Sequence, residues 1–338
     1  MLLREMLYQR EREMLSPYAM LCERTRGRMI AIPESDMRTE YMRDRDRIIH
    51  SKAFRRLKDK TQVFINPEGS HYRTRLTHTL EVAQISRTIA RCLALNEDLT
   101  EAAALGHDLG HTPFGHAGEA AITQFYREKG IDAQFLHNEQ SLRVVDKLEN
   151  GYGLNLTFEV RDAILNHKKS TIPATLEGMA VNYADRIAYL NHDIDDALRA
   201  GIITVDDLPG ECIKILGRGH SERINTMISD IVMHSQGQPA LHMSEEVNWA
   251  TNRLREYMFS EVYVGSVAKE EEKKVKDVIF LLMEFYVKHP EQLPEAERKN
   301  IEQDGLPVCV ADYIAGMTDR FAVMKFQELF VPQGWALL

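Results

Sequence analysis

The amino-acid sequence predicts an all-α protein, and three observations support this fold class. Apolar residues recur at steps of three and four over long stretches, which is the spacing of one buried helix face, and the segment from Val82 to Leu93 is the clearest example. Polar residues suited to N-capping precede several of these stretches, and glycines follow them. Strand signals are few and short. We therefore expect a bundle of helices without an extended sheet.

The individual helices follow from their start and stop signals. Thr100 is a candidate N-cap for a helix over 102–109, after which Pro113 and Gly115 interrupt the chain. Thr157 is a candidate N-cap further along. The other helices predicted up to residue 200 cover 117–129, 139–149, 157–167 and 176–200.

The same signals divide the chain into three parts. We expect an N-terminal helical arm over 1–60, a helical catalytic domain over 61–200, and a helical C-terminal extension over 201–338 that packs on the catalytic domain. The only candidate strands are the short segments 62–65 and 261–264.

The composition excludes some classes of protein. Hydrophobic residues make up 44% of the chain, which is enough for a packed core. The chain has 42 Lys and Arg against 51 Asp and Glu, and this net charge of −9 argues against a protein that coats nucleic acid. Residues 1–78 are the exception, with 17 Lys and Arg against 11 Asp and Glu. Most of these basic residues should form a solvated, salt-bridged helix face, although a phosphate-rich substrate would need some of them.

Cysteine spacing and hydropathy indicate the compartment. The four cysteines lie far apart and form no CxxC motif, so neither a zinc knuckle nor a redox pair is indicated. No stretch of 18 apolar residues occurs, so no membrane-spanning helix is expected. The charged N-terminal region is unlike a signal peptide. We therefore expect a cytoplasmic protein.

The strongest functional signal comes from four dispersed residues, His78, His107, Asp108 and Asp185. The adjacent His-Asp pair offers an imidazole nitrogen and a carboxylate oxygen from consecutive residues. With a histidine upstream and an aspartate downstream, it can form a mixed shell for manganese, iron, zinc or magnesium, ions that often activate water. The four residues fall on three predicted helices, which would hold such a shell rigidly.

The sequence around these residues resembles that of the HD-domain phosphohydrolases, and among them the deoxyguanosine triphosphate triphosphohydrolases and their bacterial relatives. Six segments carry the resemblance, in this order: 50–63, 73–82, 107–119, 137–141, 182–189 and 312–320. The resemblance implies an HD-domain helical bundle and a divalent metal held by the four residues named above. It also implies a second ion, magnesium, that bridges the outer phosphates of a nucleotide.

The resemblance assigns roles to four further residues of the site. His116 is expected to be the general acid that protonates a departing 5′-oxygen. Glu119 lies three residues later, about one helical turn away, so it could orient that imidazole. His111 and His137 are expected to contact the phosphate near the reacting phosphorus.

Five residues are expected to contact the rest of the substrate. Tyr189 should lie against the sugar and reject a 2′-hydroxyl group. Asp193 and Gln62 should bind the 3′-hydroxyl group, and Arg75 and Arg186 should reach the phosphates. His192 receives no role, and the remaining histidines outside these motifs are expected to be structural or exposed: His71, His167, His220, His234, His242 and His289.

These residues imply hydrolysis of a deoxynucleoside triphosphate to the deoxynucleoside and inorganic triphosphate. HD sites also serve 5′-nucleotidases, cyclic-nucleotide phosphodiesterases and alarmone hydrolases, which remain alternatives, although His116, His137, Tyr189 and Gln62 together favour a triphosphate. A non-catalytic protein that binds nucleotides or single-stranded nucleic acid is a further alternative. The family relatives form tetramers or hexamers, which implies a homo-oligomer. Residues 201–300 match no family motif, so no activator or single-strand site is predicted there.

Overall fold

The fold is helical throughout, in agreement with the sequence. The computed structural model describes residues 3–62, 73–168, 171–263 and 268–332. They form 17 α-helices, which confirms the predicted all-α class. In chain order these are α1 (Leu3–Met14), α2 (Glu40–Ile49), α3 (Lys52–Arg56), α4 (Arg75–Cys92), α5 (Glu97–Gly106), α6 (Gly115–Glu128), α7 (His137–Arg143), α8 (Phe158–Leu165), α9 (Leu176–Arg199), α10 (Gly210–Leu216), α11 (His220–Ser235), α12 (Glu245–Tyr257), α13 (Ala268–Lys288), α14 (Glu295–Arg298), α15 (Ile301–Asp304), α16 (Leu306–Ala315) and α17 (Asp319–Phe330).

Extended structure is almost absent from the described residues. The candidate strand at 261–264 is wrong for its described part, because Met258–Tyr263 forms a π-helix. The candidate at 62–65 lies outside the described residues except for Gln62. Among the described residues, extended pairing is limited to two isolated bridges, Arg28 with Thr157 and Thr61 with Thr74. None of the described helices combines the length and apolar character needed to cross a membrane.

Helices α4, α5 and α9 form the centre of the fold, and α4 packs against both of the others. Their apolar spacing produces one buried face each, as Val82, Ile85 and Ile89 of α4 illustrate. Thr74 caps α4 and Thr175 caps α9, each accepting a hydrogen bond from a backbone N–H three residues later. The bundle therefore rests on the periodicity from which the sequence predicted it.

Helix α5 begins earlier than predicted. Its N-cap is Asn96, whose side chain accepts a hydrogen bond from the Leu99 N–H, and two acidic residues follow in the first turn, where the helix dipole favours them. Thr100, the predicted cap, lies inside the helix, and its hydroxyl donates to the Asn96 carbonyl. The prediction was wrong because a stronger capping residue stands four positions upstream.

Helices α6 and α7 also differ from the predicted boundaries. Helix α6 starts at Gly115, directly after Phe114, which adopts the left-handed backbone conformation with φ of 62°. The helix predicted up to residue 149 changes character after Arg143 and continues as a π-helix over Val144–Leu148. The reversal at Phe114 thus directs the chain from the His-Asp pair into α6.

The N-terminal segment is tied to the bundle through Asp44. This buried carboxylate pairs with Arg28 and accepts hydrogen bonds from the Thr157 N–H at 2.9 Å and the Thr157 hydroxyl at 2.7 Å. Thr157 does precede α8 as predicted, but its hydroxyl serves Asp44 and makes no capping hydrogen bond.

Apolar residues form two clusters. The larger cluster runs through α4, α5, α8 and α9 and also includes residues of α10, α11 and α12. The smaller cluster joins Ile122 and Phe125 of α6 to residues of α13, α16 and α17, including Ile279 and Ile314. Helix α6 therefore packs mainly on the C-terminal helices. The three-part division of the chain stays a prediction.

Candidate metal centre and catalytic site

The four residues predicted as metal ligands converge at one point of the bundle. His78 lies on α4, His107 and Asp108 follow the last turn of α5, and Asp185 lies on α9. Nε2 of His78 is 3.0 Å from Oδ1 of Asp185, and Nε2 of His107 is 3.8 Å from the same oxygen and 3.5 Å from Oδ1 of Asp108. The ligand atoms of His78, His107 and Asp108 all lie within 4.8 Å of one another.

The positions of the protons in this shell leave donor atoms free for a cation. Nδ1 of His107 lies 2.6 Å from the Ala104 carbonyl, which can only accept, so in the neutral ring the proton lies on Nδ1 and the lone pair on Nε2. This buried Nε2 has no hydrogen-bond partner among the described residues. Burial alone would raise the pKa of Asp108, but His107, His111 and Arg75 hold that pKa well below its ordinary value. The donor set is therefore one a divalent ion would satisfy.

Close backbone packing fixes the turn after the His-Asp pair. A Cβ added at Gly110 would lie 2.1 Å from the Ser141 backbone nitrogen, so only glycine fits there. The Gly110 N–H donates to the Ser141 hydroxyl at 2.9 Å. This contact presses the turn against α7 and brings the His111 ring over that of His137, with centroids 4.1 Å apart and an interplanar angle of 14°.

A shared carboxylate links the histidines beside the metal shell. Oε2 of Glu119 accepts hydrogen bonds from Nδ1 of His116 at 3.2 Å and from Nδ1 of His137 at 2.9 Å. The predicted contact between Glu119 and His116 is therefore present, but it is one of two. His116 is 67% exposed at its side chain, whereas His137 is nearly buried. His116 is consequently the histidine of this group that faces outward.

The charge states of this group follow from burial. Burial would raise the pKa of Glu119, but hydrogen bonds from His116 and His137 lower it, so Glu119 is an anion. Burial, aided by Arg75, lowers the pKa of His111 well below its ordinary value. Burial also lowers the pKa of His137, against the opposing effect of Glu119. Without substrate, His111 and His137 are thus neutral and offer N–H donors rather than positive charge.

A cavity opens at this histidine group. Its volume is about 580 Å³, in the range of small-molecule sites. It is lined by His116, Glu119, Ala120, Thr123, Gln124, Arg127, Gln134, Phe135, His137 and Lys168. A larger cavity of about 860 Å³ borders Lys60 and Gly110. The described lining of neither cavity includes any of the four predicted metal ligands, but only the smaller one includes His116, Glu119 and His137. The smaller cavity is the one that the predicted chemistry adjoins.

Arg75 occupies a different environment from the one expected of a phosphate contact. It is buried, and its Nη1 donates to Oδ2 of Asp108 at 2.7 Å. Its Nη2 lies 3.5 Å from the Gln62 carbonyl. In the structure this side chain therefore contacts a predicted metal ligand. Contact of Arg75 with phosphate stays a prediction.

The residues expected at the sugar lie further along α9. Asp193 is buried, and burial together with Asp196 raises its pKa well above the ordinary value. Tyr189 is half-buried and hydrogen-bonds Asp193. Arg186 contacts Asn252 of α12 at 3.3 Å. The roles of Tyr189, Asp193, Arg186 and Gln62 in binding substrate stay predictions.

His167 belongs to the site, although the sequence analysis left it as a structural or exposed residue. It follows α8 and is buried, and its Nε2 lies 3.3 Å from Nε2 of His137. A ligand atom of His167 lies within 4.8 Å of those of Asp108 and His137. The sequence held no signal that would have identified it, but in the structure Nδ1 of His167 lies 2.7 Å from the carbonyl three residues earlier, as Nδ1 of His107 lies 2.6 Å from its own.

His192 also has a partner near the metal shell. Its Nε2 lies 2.8 Å from Oε2 of Glu81, and its ring stands edge-on to that of His78, 5.9 Å away. The sequence assigned it no role. In the structure it packs beside a predicted ligand and supports its position.

A shell of two histidines and two aspartates, placed by three helices of an all-α bundle, defines the class of HD-domain phosphohydrolases. The model of the HD domain matches residues 75–190, and that of the phosphohydrolase-associated domain matches residues 241–328. The expectation that residues 201–300 match no family motif is therefore wrong from residue 241 onward. An HD domain implies that a divalent metal binds.

More specifically, the chain belongs to the family of deoxyguanosinetriphosphate triphosphohydrolase-like proteins, as the sequence indicated. The member from Caldanaerobacter subterraneus subsp. tengcongensis is 53% identical over 336 residues, covering 99% of this chain and 98% of that protein. The member from Clostridium tetani is 47% identical, covering 98% of this chain and 97% of that protein. A crystal structure of a phosphohydrolase from Bacteroides thetaiotaomicron shares the fold, with a TM-score of 0.51, 18% identity, and coverage of 90% of this chain and 71% of that one.

Proposed function

We propose that this phosphohydrolase converts deoxynucleoside triphosphates to the deoxynucleoside and inorganic triphosphate. The observation that carries the proposal is the pairing of an outward-facing histidine, His116, with the anionic Glu119 beside the His/Asp shell. Such a pair can deliver a proton to a leaving oxygen while a neighbouring cation withdraws charge from phosphorus. The names of the relatives, which refer to a triphosphohydrolase, support the same reaction.

The metal shell has a defined task in this reaction. His78, His107, Asp108 and Asp185 would hold a divalent ion, with manganese, iron and magnesium as candidates. Such an ion, when bound, stabilises charge on a phosphate oxygen and acidifies water. The anionic state of Asp108 and the lone pair on Nε2 of His107 favour its capture.

His116 acts as the general acid. Glu119 accepts from Nδ1 of His116, which fixes the ring and leaves Nε2 for the substrate. From Nε2, the ring would donate a proton to the departing 5′-oxygen. The proton that the attacking water loses goes to solvent, and solvent returns a proton to His116 before the next turnover.

Binding of the substrate rests on the charge and shape around the cavity. Arg127 and Lys168 line it and can offset the charge of a triphosphate. A magnesium ion bound to the outer phosphates would add to this. The half-buried Tyr189 is proposed to lie against the sugar and exclude a 2′-hydroxyl group. We further propose that the protein acts as a homo-oligomer, as its family relatives do.

The products of the reaction test the proposal. Purified protein would be incubated with Mn²⁺ or Mg²⁺ and each deoxynucleoside triphosphate, singly and mixed, and the products followed by phosphorus NMR. We expect tripolyphosphate and deoxynucleoside, and a fall in rate of about 10²–10⁴-fold for His116→Gln. Asp185→Asn should be inactive, and the exposed His234→Gln is the matched control. Release of pyrophosphate, single phosphates or a nucleoside monophosphate would refute the proposed reaction.

The same assay tests the preference for a deoxy sugar. Ribonucleoside triphosphates should be poorer substrates than their deoxy counterparts, and Tyr189→Ala should narrow that difference. An unchanged ratio in the variant would remove Tyr189 from the sugar site while leaving the reaction itself intact.

A further inference from the structure

The larger of the two cavities has no part in the proposed reaction. Its volume is about 860 Å³, which is in the range of small-molecule sites. Leu109 and Gly110 line it, and these two residues connect Asp108 with His111. The cavity therefore shares a wall with the turn that carries the His-Asp pair.

Two of the segments that carry the family resemblance supply much of the remaining wall. Segment 50–63 contributes three cationic residues, and segment 312–320 contributes the end of α16 and the chain that follows it. Apart from Gln62, neither segment holds a residue that was expected at the catalytic site. The cavity is thus a feature that both segments share and that the proposed reaction leaves unused.

The three cations are Lys52, Arg56 and Lys60, and none of them pairs with a carboxylate among the described residues. Lys52 and Arg56 lie one turn apart on α3 and are exposed. Lys60 retains 3% exposure, and its Nζ donates to the carbonyls of His111 and Ala315. A buried ammonium group without a counter-charge is costly, and a bound anion would supply that charge.

The other charged groups of the wall add little net charge. Glu149 accepts hydrogen bonds from two backbone N–H groups at the start of α3, at 2.8 and 3.1 Å. Asp312 pairs with an arginine of α7 at 2.6 Å, and Lys299 pairs with Glu295 at 3.0 Å. Burial raises the pKa of Glu297, which favours its uncharged form. The three cations therefore determine the sign of the charge that the cavity offers a ligand.

Arginine and lysine side chains are common protein ligands of phosphate groups. The three cations recur at steps of four residues, so they present positive charges in a row, which matches an anion charged along its length better than a single phosphate. We propose that the cavity binds an oligophosphate, whose charged groups contact Lys52, Arg56 and Lys60. Inorganic triphosphate is the anion of this class that the reaction itself would supply, and this last assignment alone rests on the proposed function.

The contacts of two of the cations explain how they can reach the ligand. An ammonium group has three hydrogens, and the two carbonyls that Lys60 contacts accept two of them, which leaves one for a phosphate oxygen. A nearby anion favours the ammonium form of a buried lysine. A Cβ at Gly316 would lie 3.2 Å from Nη1 of Arg56, so the glycine lets this guanidinium lie close to the end of α16.

Calorimetric titration of the full chain with tripolyphosphate, in excess Mg²⁺ and without nucleotide, tests the proposal. Arg56→Gln should weaken one binding event by about 10–100-fold, the effect of losing one charge-assisted hydrogen bond. Arg55→Gln is the matched control, because Arg55 is an exposed neighbour on α3 outside the described lining. Arg127→Gln, in the smaller cavity, should leave this event unchanged. Equal affinities for Arg56→Gln and Arg55→Gln, or orthophosphate binding as tightly as tripolyphosphate, would overturn the proposal.

A second measurement needs no variant. Acetylation of the unmodified protein, followed by peptide mass spectrometry, should show that tripolyphosphate slows the modification of Lys52. Lys58 is the internal control, because it is exposed in the same segment but lies outside the described lining. Equal protection of both lysines, or of neither, would contradict the proposal. If the proposed reaction is wrong, the protein will release no tripolyphosphate from deoxynucleotides, yet both measurements with added tripolyphosphate will keep their expected results.

Discussion

Arg75 donates a hydrogen bond from Nη1 to Oδ2 of Asp108 at 2.7 Å, and both side chains are buried. The contact engages one carboxylate oxygen and leaves Oδ1 near His107 and His111, at 3.5 and 3.6 Å from their Nε2 atoms. Arg75 therefore sets the direction in which Asp108 presents its free oxygen to a cation. Arg75 thus contacts a predicted metal ligand, whereas the sequence analysis predicted that it contacts the substrate.

Loss of this guanidinium should weaken metal binding. Arg75→Met removes the group that orients Asp108, and losses of such supporting contacts typically reduce metal affinity by about 10–100-fold. Calorimetric titration of the chelator-treated protein with Mn²⁺ measures the change. Arg87→Met is the control, because Arg87 lies on the same helix and pairs with Glu97 at a half-exposed site.

An opposite pattern is expected if Arg75 touches substrate only. In that case Arg75→Met would leave the Mn²⁺ affinity unchanged and raise KM. The two measurements together therefore separate a supporting role behind the metal shell from a direct role in binding phosphate.

Lys60 links the site to the C-terminal helices under unusual electrostatic conditions. Its buried Nζ donates to the carbonyls of His111 and Ala315. Burial, together with Arg56 and Arg75, lowers the pKa of Lys60 to about 7. The neutral amine still has two hydrogens, enough for both carbonyls.

This low pKa makes stability depend on pH in a defined direction. Between about pH 7 and 10.5, Lys60 is protonated in the unfolded chain and neutral in the folded protein. The unfolded state then binds more protons, so the free energy of unfolding rises with pH, at most by about 1.4 kcal/mol per pH unit from this group. Below about pH 7 both states are protonated, and the contribution to the slope disappears.

Lys60→Met should remove this part of the pH dependence. Denaturant unfolding at several pH values between 7 and 10, at constant ionic strength, would give the free energy for both proteins. We expect the stability difference in favour of the unmodified protein to grow with pH. Parallel curves for the two proteins would mean that Lys60 titrates normally.

The sequence predicted those features that depend on local spacing. Helix periodicity gave the bundle, and the motifs around His78, His107 and Asp185 identified residues that do meet in space. Each of these signals is contained within a few turns of one helix. Local signals can also mislead: Asn96 and Thr100 lie about one turn apart and both are residue types suited to N-capping, so the start of α5 was predicted wrongly.

Contacts between distant side chains were not predictable in this way. Arg75 is 33 residues from Asp108, and His137 is 30 residues from His167. Nothing in a single sequence states which of several buried polar groups will pair, because the pairing is decided by how α4, α7 and α8 pack. His167 consequently carried the same weight in the sequence as an exposed histidine such as His234.

Asp319 at the start of α17 positions the loop that carries the proposed acid. Its Oδ1 accepts from the Phe114 N–H at 2.9 Å, and its Oδ2 accepts from the Thr61 N–H at 2.9 Å and from the Thr61 hydroxyl. Phe114 holds a left-handed conformation with φ of 62°, which costs about 1–2 kcal/mol for a residue with a side chain. The hydrogen bond from Asp319 helps to maintain that conformation directly before His116.

Removal of this carboxylate should therefore reduce the rate without removing the metal. Asp319→Ala frees the Phe114 N–H and lets the loop relax, so we expect kcat for the hydrolysis to fall by about 10–100-fold, in line with a displacement of about 1 Å at a reacting group. Asp319→Asn keeps an oxygen acceptor for Phe114 and should recover much of the rate. The exposed Glu328→Ala on the same helix is the control. Bound metal, measured in parallel, should be equal in all four proteins. A specific anchor of the loop predicts both retained metal and rescue by an amide oxygen. If Asp319→Ala lost metal together with activity, the effect would instead be a general one on the fold. The same would hold if Asp319→Asn were as slow as Asp319→Ala.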